Sequence, residues 1–222
     1  MNLIIVGAGD YAEVAIHYLK AETDYNILAV SVEESFLPQS AELRQFCGLP
    51  MVKFEALQEL YDPEHTEVLV AVGPGRVNTT RERLYLETRD KGFRLIKFIH
   101  SQAHVADPTK VGENSFVFPF VCLEPGSLVG NNCVLWSGSQ IAHHSVVEDN
   151  CFLAPGARVS GRSTIKSNCF LGINSTVRDH VTVSNRCIVG AGAVIKKDTV
   201  AGGVYSATPG CLLGQDSINT KI

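Results

Sequence analysis

The chain has 222 residues, 45% hydrophobic and 19% charged, with 19 Lys and Arg against 23 Asp and Glu for a formal net charge of −4. The longest basic run is Lys196-Lys197, and phosphate neutralisation needs a concentrated basic surface, so a nucleic-acid partner is excluded. No apolar stretch reaches the roughly 18 residues of a membrane span, and Met1 leads straight into a core strand rather than a leader, so no membrane partner and a cytoplasmic location are expected.

Taken in order, residues 2–6 read as a buried strand, Gly7-Ala8-Gly9-Asp10-Tyr11-Ala12 as a glycine turn and residues 12–20 as a helix. Apolar runs at 27–32 and 68–72 and a helical stretch at 79–90 continue an alternation that predicts a parallel sheet covered on both faces. About four or five strands precede residue 99, which suits one nucleotide better than two and argues against an NAD enzyme. Gly7-x-Gly9-x-x-Ala12 fits a turn whose backbone N–H groups hold a phosphate at a helix start, and a tight turn without a ligand fits it equally well. Glu33 and Glu34, after the second strand, stand at a distance suited to a ribose hydroxyl.

From Ile99 to Val200 the sequence divides into seventeen uninterrupted hexads, each opened by an aliphatic residue and each carrying a small or short residue four positions on. A fixed short period marks a solenoid, and three hexads closing a triangle give a parallel β-helix with residues eighteen apart stacked. The fourth slot supplies Gly or Asn at nine positions from Asn114 to Gly192, residues that tolerate positive φ at corners. The predicted organisation is therefore an α/β Rossmann-like domain (1–98), an all-β parallel β-helix (99–200) and a turn-rich tail (201–222) capping the last coil. Cys133, Cys151, Cys169 and Cys187, eighteen apart in the small slot, are expected to form a ladder of buried thiols, and no CxxC pair supports a metal site.

The hexads resemble those of the hexapeptide-repeat acyltransferases, a resemblance that implies a left-handed β-helix. Together with the glycine turn, the strand end Ala71-Val72-Gly73, the junction Phe98-Ile99-His100, Ile141-Ala142-His143 and the segment 170–175, the chain resembles the nucleotide-sugar acyltransferases related to sialic acid O-acetyltransferase and the bacillosamine-pathway N-acetyltransferase. The resemblance implies that Gly9, Asp10, Tyr11, Glu33 and Gly73 hold a nucleotide-activated sugar, that His143 is the catalytic base, and that Ile173 and Ala191 touch the acyl donor. Two positions depart from the pattern: His144 stands where the relatives carry an acid, and Phe152 where a donor-contacting His is usual. Glu124, one coil below Ala142, is expected to reach His143 Nδ1 and replace the missing acid.

Two columns complete the reading. The sixth-slot column Phe116, Val134, Phe152, Phe170, Ile188 is an apolar patch that, with the resemblance, points to a homotrimer with helices side by side. The second-slot column runs His100, Phe118, Trp136, Ala154, Gly172, Gly190, and its bare end offers an outward surface on which the pantetheine arm of coenzyme A can lie, close subunit packing being the other explanation. The expected function is acetyl-CoA-dependent N-acylation of a nucleotide-linked amino sugar, with His143, Glu124 and His144 catalytic and Phe152, Gly172, Ile173, Gly190 and Ala191 on the donor. Sugar O-acetylation and a non-catalytic nucleotide-sugar binder are the alternatives. A zinc site on His144 and His180 lacks its third ligand, since Asn185 occupies the position, and no metal is expected.

Overall fold

A computed structural model describes residues 1–209 of the protein, so the predicted cap beyond residue 209 lies outside the described residues. The first part contains β1 (Asn2–Val6), α1 (Asp10–Glu22), β2 (Asn26–Val32), β3 (Gln45–Phe46), β4 (Leu49–Lys53), α2 (Leu57–Leu60), β5 (Thr66–Val70), α3 (Thr79–Asp90) and β6 (Arg94–Leu95). Its six-stranded sheet has the order β3-β4-β2-β1-β5-β6, parallel apart from the β3–β4 pair. The sheet is wider than the sequence suggests because β3 and β6 are two residues each, too short to leave a hydrophobic run. The central strand β1 is sealed on both faces, with Leu3, Ile4 and Ile5 fully buried, which is why it reads as an unbroken aliphatic run.

The repeat winds as a three-sided prism. Its first face carries Phe98–Ile99, Phe116–Val117, Val134–Leu135, Phe152–Leu153, Phe170–Leu171, Ile188–Val189 and, beyond the hexads, Val204–Tyr205. The second face runs from His104–Val105 to Val194–Ile195, and the third from Leu128–Val129 to Thr182–Val183. Within the hexads, strands pair in parallel with the strand eighteen residues on, as in Val134↔Phe152, whereas the last pairing, Ile188↔Val204, is two residues shorter. Openers point inward: Leu135, Ile141 and Val147 are fully buried.

Every fourth-slot residue from Asn114 to Gly192 has a positive φ, including Phe120, His144, Arg162, His180 and Arg186 beside the expected Gly and Asn. Corner geometry therefore overrides residue preference at those five places, at a cost of about 1 to 2 kcal/mol each relative to Gly. The small slot holds more than filler. Cys133, Cys151, Cys169 and Cys187 are buried, and their thiols donate to the carbonyls of Glu148, Lys166, Ser184 and Val200 at 3.1 to 3.2 Å. Ser115, Ser145 and Ser163 make the same bond to Gly130, Ser160 and Arg178. Cys and Ser share the slot because both are short donors that tie one coil to the next.

The α/β domain lies on the first face. Tyr11 of α1 meets Phe116 edge-on at 5.9 Å, Tyr18 meets His100 at 4.8 Å, and Phe118 stacks on Trp136 at 4.1 Å. From α3, the fully buried Arg81 donates to the carbonyls of Val72, Asn132, Asn150 and Cys151 and to Asn78 Oδ1. A ladder of corner amides runs Asn114 to Asn132 to Asn150, and Asn150 and Asn168 both donate to Glu82 of α3.

This docking corrects two expectations. The lower sixth-slot column, Phe116, Val134 and Phe152, is buried under the α/β domain and is not a face for a second β-helix. The second-slot column is covered at the same end: Phe118 and His100 pack against Tyr11 and Tyr18 of α1, and Ala154 is buried as well. The bareness of Gly172 has a local cause, since a Cβ there would sit 2.7 Å from Ala191 N and 2.9 Å from Gly190 C of the next coil.

Candidate active site

The parallel strands end together at the glycine turn. Gly7 has φ +121, and a Cβ on it would sit 2.5 Å from Ala71 O, so the end of β1 approaches the end of β5 as only glycine permits. Gly9 caps α1 without a side-chain bond and a Cβ there would meet open space, leaving the first N–H groups of the helix facing outward. This is the crevice at the carboxyl ends of strands where the order reverses, between β1 and β5, the usual ligand position in open α/β sheets.

Two cavities flank the turn. One, about 420 Å³, is bounded by Gly7, Ser31, Glu33, Phe36, Phe46 and Met51, and the Ser31 hydroxyl inside it is buried without a partner. Glu33 stands at its rim, but Arg83 Nη2 already reaches both of its carboxylate oxygens at 3.0 Å. The other, about 360 Å³, lies between the turn and the β-helix and is lined by Gly9, Asp10, Tyr11, Gly73, Trp136 and Phe152. Here Tyr11 Oη and Trp136 Nε1 are both buried without hydrogen-bond partners. Burial pushes the Tyr11 hydroxyl far above the usual tyrosine value, so it stays a protonated donor. Buried donors without acceptors are rare, and two in one cavity leave hydrogen-bonding capacity that the oxygen atoms of a ligand would satisfy. Of the residues expected to hold the sugar, Gly9, Asp10, Tyr11 and Gly73 line this one cavity and Glu33 the other, and Trp136, which the second-slot column did not assign to the sugar, joins the first group.

His143 and His144 occupy the corner between the second and third faces and are both exposed. That edge lies across the prism from the first face, so within one chain the histidines and the two cavities are on opposite sides. Glu124 does not reach the imidazole. Its Oε2 accepts the His143 backbone N–H at 2.8 Å and its Oε1 the Gln140 side-chain amide at 2.9 Å, because a glutamate one coil below points at the backbone of the corner above it. The His143 ring instead meets its neighbour, Nδ1 to Nδ1 at 3.2 Å. It leans over Gly161, where a Cβ would be 2.6 Å from both Cε1 and Nε2, while the His144 ring rests on Gly126, 3.0 Å from the Cβ position.

Known proteins match both halves. Residues 2–87 match the PglD N-terminal domain and residues 96–205 the GMPPB C-terminal domain. The acetyltransferase domain of PglB from Neisseria gonorrhoeae FA1090 superposes with a TM-score of 0.81 at 25% identity, covering 94% of this chain and 97% of that one. Perosamine N-acetyltransferase from Caulobacter crescentus, as a histidine-to-asparagine variant in complex with CoA and GDP-perosamine, superposes with a TM-score of 0.81 at 26% identity over 97% and 98%. WeeI from Acinetobacter baumannii AYE shares the fold at 19% identity, TM-score 0.78, over 92% and 96%. No curated protein sequence matches.

The two halves and their order are those of hexapeptide-repeat nucleotide-sugar acyltransferases, to which the chain is similar over nearly its whole length. In this acyltransferase the residues expected on the acyl donor do not form one group. Ile173 is 52% exposed, Ala191 is exposed, and Gly172 and Gly190 lie beneath them at the corner after the first face. Phe152 is apart from these, 7% exposed, stacked on Phe170 and lining the glycine-turn cavity under the Arg81 guanidinium. Among the described residues no group of three or more His, Cys, Asp or Glu is arranged to hold a metal ion, and no helix is long and apolar enough to cross a membrane.

Proposed function

We propose that the protein transfers an acetyl group from acetyl-CoA to the amine of a nucleotide-linked amino sugar, with His143 as the general base. The observation that carries this reading is the coexistence of a glycine-turn cavity bearing two unpartnered buried donors and an exposed imidazole held at a β-helix corner. The perosamine enzyme, with CoA and GDP-perosamine bound to a histidine variant, supports the same pair of substrates here.

The 420 Å³ cavity takes the nucleoside and the turn takes the diphosphate, held by the N–H groups at the start of α1. Tyr11 and Trp136 donate to sugar or phosphate oxygens. In the reaction the sugar nitrogen attacks the thioester carbonyl carbon, the C–N bond forms, the C–S bond breaks, and the proton leaves nitrogen for His143 Nε2 while the thiolate of CoA departs. Because the cavities and His143 lie on opposite sides of one prism, the sugar bound by one copy reaches the histidine of another, and the acting species is a homo-oligomer, a trimer by the resemblance noted above. Ile173 and Ala191, exposed at the remaining corner, then border the acyl donor.

The test is thiol release from acetyl-CoA with a panel of nucleotide-linked 4-amino sugars, GDP-perosamine included, alongside their hydroxyl counterparts. Turnover of an amino sugar that His143→Ala abolishes with binding retained is the expected result. Turnover only of hydroxyl sugars replaces N-acylation by O-acylation, and binding without turnover across the panel sinks the enzyme reading.

A further inference from the structure

The reading of His143 as base leaves open what holds its proton on the correct nitrogen, and the corner contains one candidate. A base must offer a lone pair at Nε2, so its proton must reside on Nδ1, and isolated imidazole does not favour that tautomer. Elsewhere a carboxylate commonly accepts the Nδ1–H and fixes the arrangement. Glu124 is the carboxylate bonded at this corner, and both of its oxygens are committed, one to the backbone N–H of His143 and one to Gln140. Arg162, the next charged residue at the corner, meets His143 through its backbone N–H, which donates to the His143 carbonyl at 3.0 Å. Among the described residues, the polar atom bonded to the His143 ring is His144 Nδ1 at 3.2 Å.

From this geometry we infer that His144 is the positioning residue of His143, its Nδ1 accepting the His143 Nδ1–H and thereby keeping the lone pair of the base on Nε2. The inference rests on the acyltransferase reading and deepens it. Two neutral imidazoles bonded Nδ1 to Nδ1 must divide the roles, one donating and one accepting. With His143 as donor, His144 carries its own proton on Nε2, on the edge that lies over Gly126. When the sugar nitrogen gives its proton to His143 Nε2, the bond between the rings becomes charge-assisted and the imidazolium is stabilised. A proton taken up first by His144 reverses the bond, places the His143 proton on Nε2 and removes the lone pair. The pair is thus a base that is active only while it holds no extra proton.

The surrounding backbone is shaped for it. His144 has φ 57, and this left-handed corner turns its ring down onto Gly126, while His143 leans up over Gly161. The two rings diverge along the coil axis and meet at their Nδ1 edges. Phe120, Arg162, His180 and Arg186 occupy the same slot with positive φ, so the conformation belongs to the corner; what distinguishes His144 is an acceptor nitrogen within bonding distance of the neighbouring ring.

The test uses the full chain labelled with [15N]histidine. Long-range proton–nitrogen correlation spectra should show His143 as the Nδ1–H tautomer, assigned by its loss in His143→Ala. His144→Gly suits the positive φ of the corner and removes the acceptor. It should shift His143 toward the Nε2–H tautomer and lower kcat for acetyl transfer to the amino sugar turned over in that panel roughly tenfold to a hundredfold with KM unchanged. His144→Asp restores an acceptor in a residue that tolerates the same backbone, and should recover the tautomer and most of kcat. A His143 found as Nε2–H in the unaltered protein, or a tautomer or kcat that His144→Gly leaves unmoved, overturns the inference. Acetyl transfer that survives His143→Ala sinks the base reading instead, and the two failures are separable because the tautomer is read without turnover.

Discussion

Two edges of the same prism are built from the same hexad and have opposite fates. At the edge between the third and first faces, corner amides Asn114, Asn132 and Asn150 are chained to one another and closed by Glu82, and Arg81 fills the gap with its guanidinium on four carbonyls. At the edge between the second and third faces, the His143 and His144 side chains are exposed; their rings bond to each other, and the corner backbone bonds to the coils above and below. The difference teaches that the repeat supplies polar positions at every corner and that a docked domain decides which become structure. Where α3 covers the edge, polar side chains are tied into structure; at the edge that the chain's own α/β domain leaves uncovered, the two imidazoles stay exposed.

Arg81→Ala should break the contrast most severely. It strands buried carbonyls of Val72, Asn132, Asn150 and Cys151, and unfolding by denaturant should show a loss of roughly 3 to 5 kcal/mol, or separation of the α/β domain from the β-helix. Burial lowers the Arg81 guanidinium from its ordinary value, and Arg81→Lys should be only a partial rescue because lysine lacks the planar fork that reaches several carbonyls at once. On the open edge the cost moves from stability to rate. Gly161→Ala puts a Cβ 2.6 Å from His143 Nε2, and since an exposed ring can swing aside, the melting temperature should hardly change while acetyl transfer falls by roughly tenfold or more.

Asn132→Gly sharpens the comparison from the covered side. Glycine suits φ 54 but breaks the amide ladder, so about 1 to 2 kcal/mol of stability should be lost in thermal unfolding with activity per folded molecule retained. The smallest effect concerns Glu22 of α1, which accepts from Ser101 N and Oγ and lies 3.1 Å from His100 Nε2. The Ser101 backbone bond, chiefly, lowers its carboxyl from the usual glutamate value. A depressed carboxylate contributes stability above its unfolded value and loses it as pH falls through the folded one. Glu22→Gln should therefore flatten the acid limb of the stability curve slightly and leave neutral pH almost unaffected.

The fold was legible where a pattern is local. Residues 2–6 and 79–90 form the strand and helix read from them, and the eighteen-residue stack appears as in Leu135↔Leu153. The glycine turn placed Gly9, Asp10, Tyr11 and Gly73 around one cavity. The partners of side chains were not legible. Glu124 was matched to the wrong atom of His143, because an eighteen-residue offset specifies which residues stack and not whether a carboxylate meets a ring or a backbone N–H. Phe152 and the sixth-slot column were assigned outward because apolarity alone does not say whether a second copy or the chain's own domain supplies the cover. The buried thiols read as filler because donation to a carbonyl one coil away leaves no mark on the period.

The amino-acid order alone determined a two-part chain, the inward aliphatic ladder and a corner that presents position 143, since each follows from periodicity and residue type over a few neighbours. The docking of α1 and α3 on the first face, the pairing of His143 with His144 and the unpartnered donors of Tyr11 and Trp136 were decided only in three dimensions. Each depends on atoms from segments 18 to 125 residues apart, or on which way two adjacent rings turn, and no repeat encodes those choices.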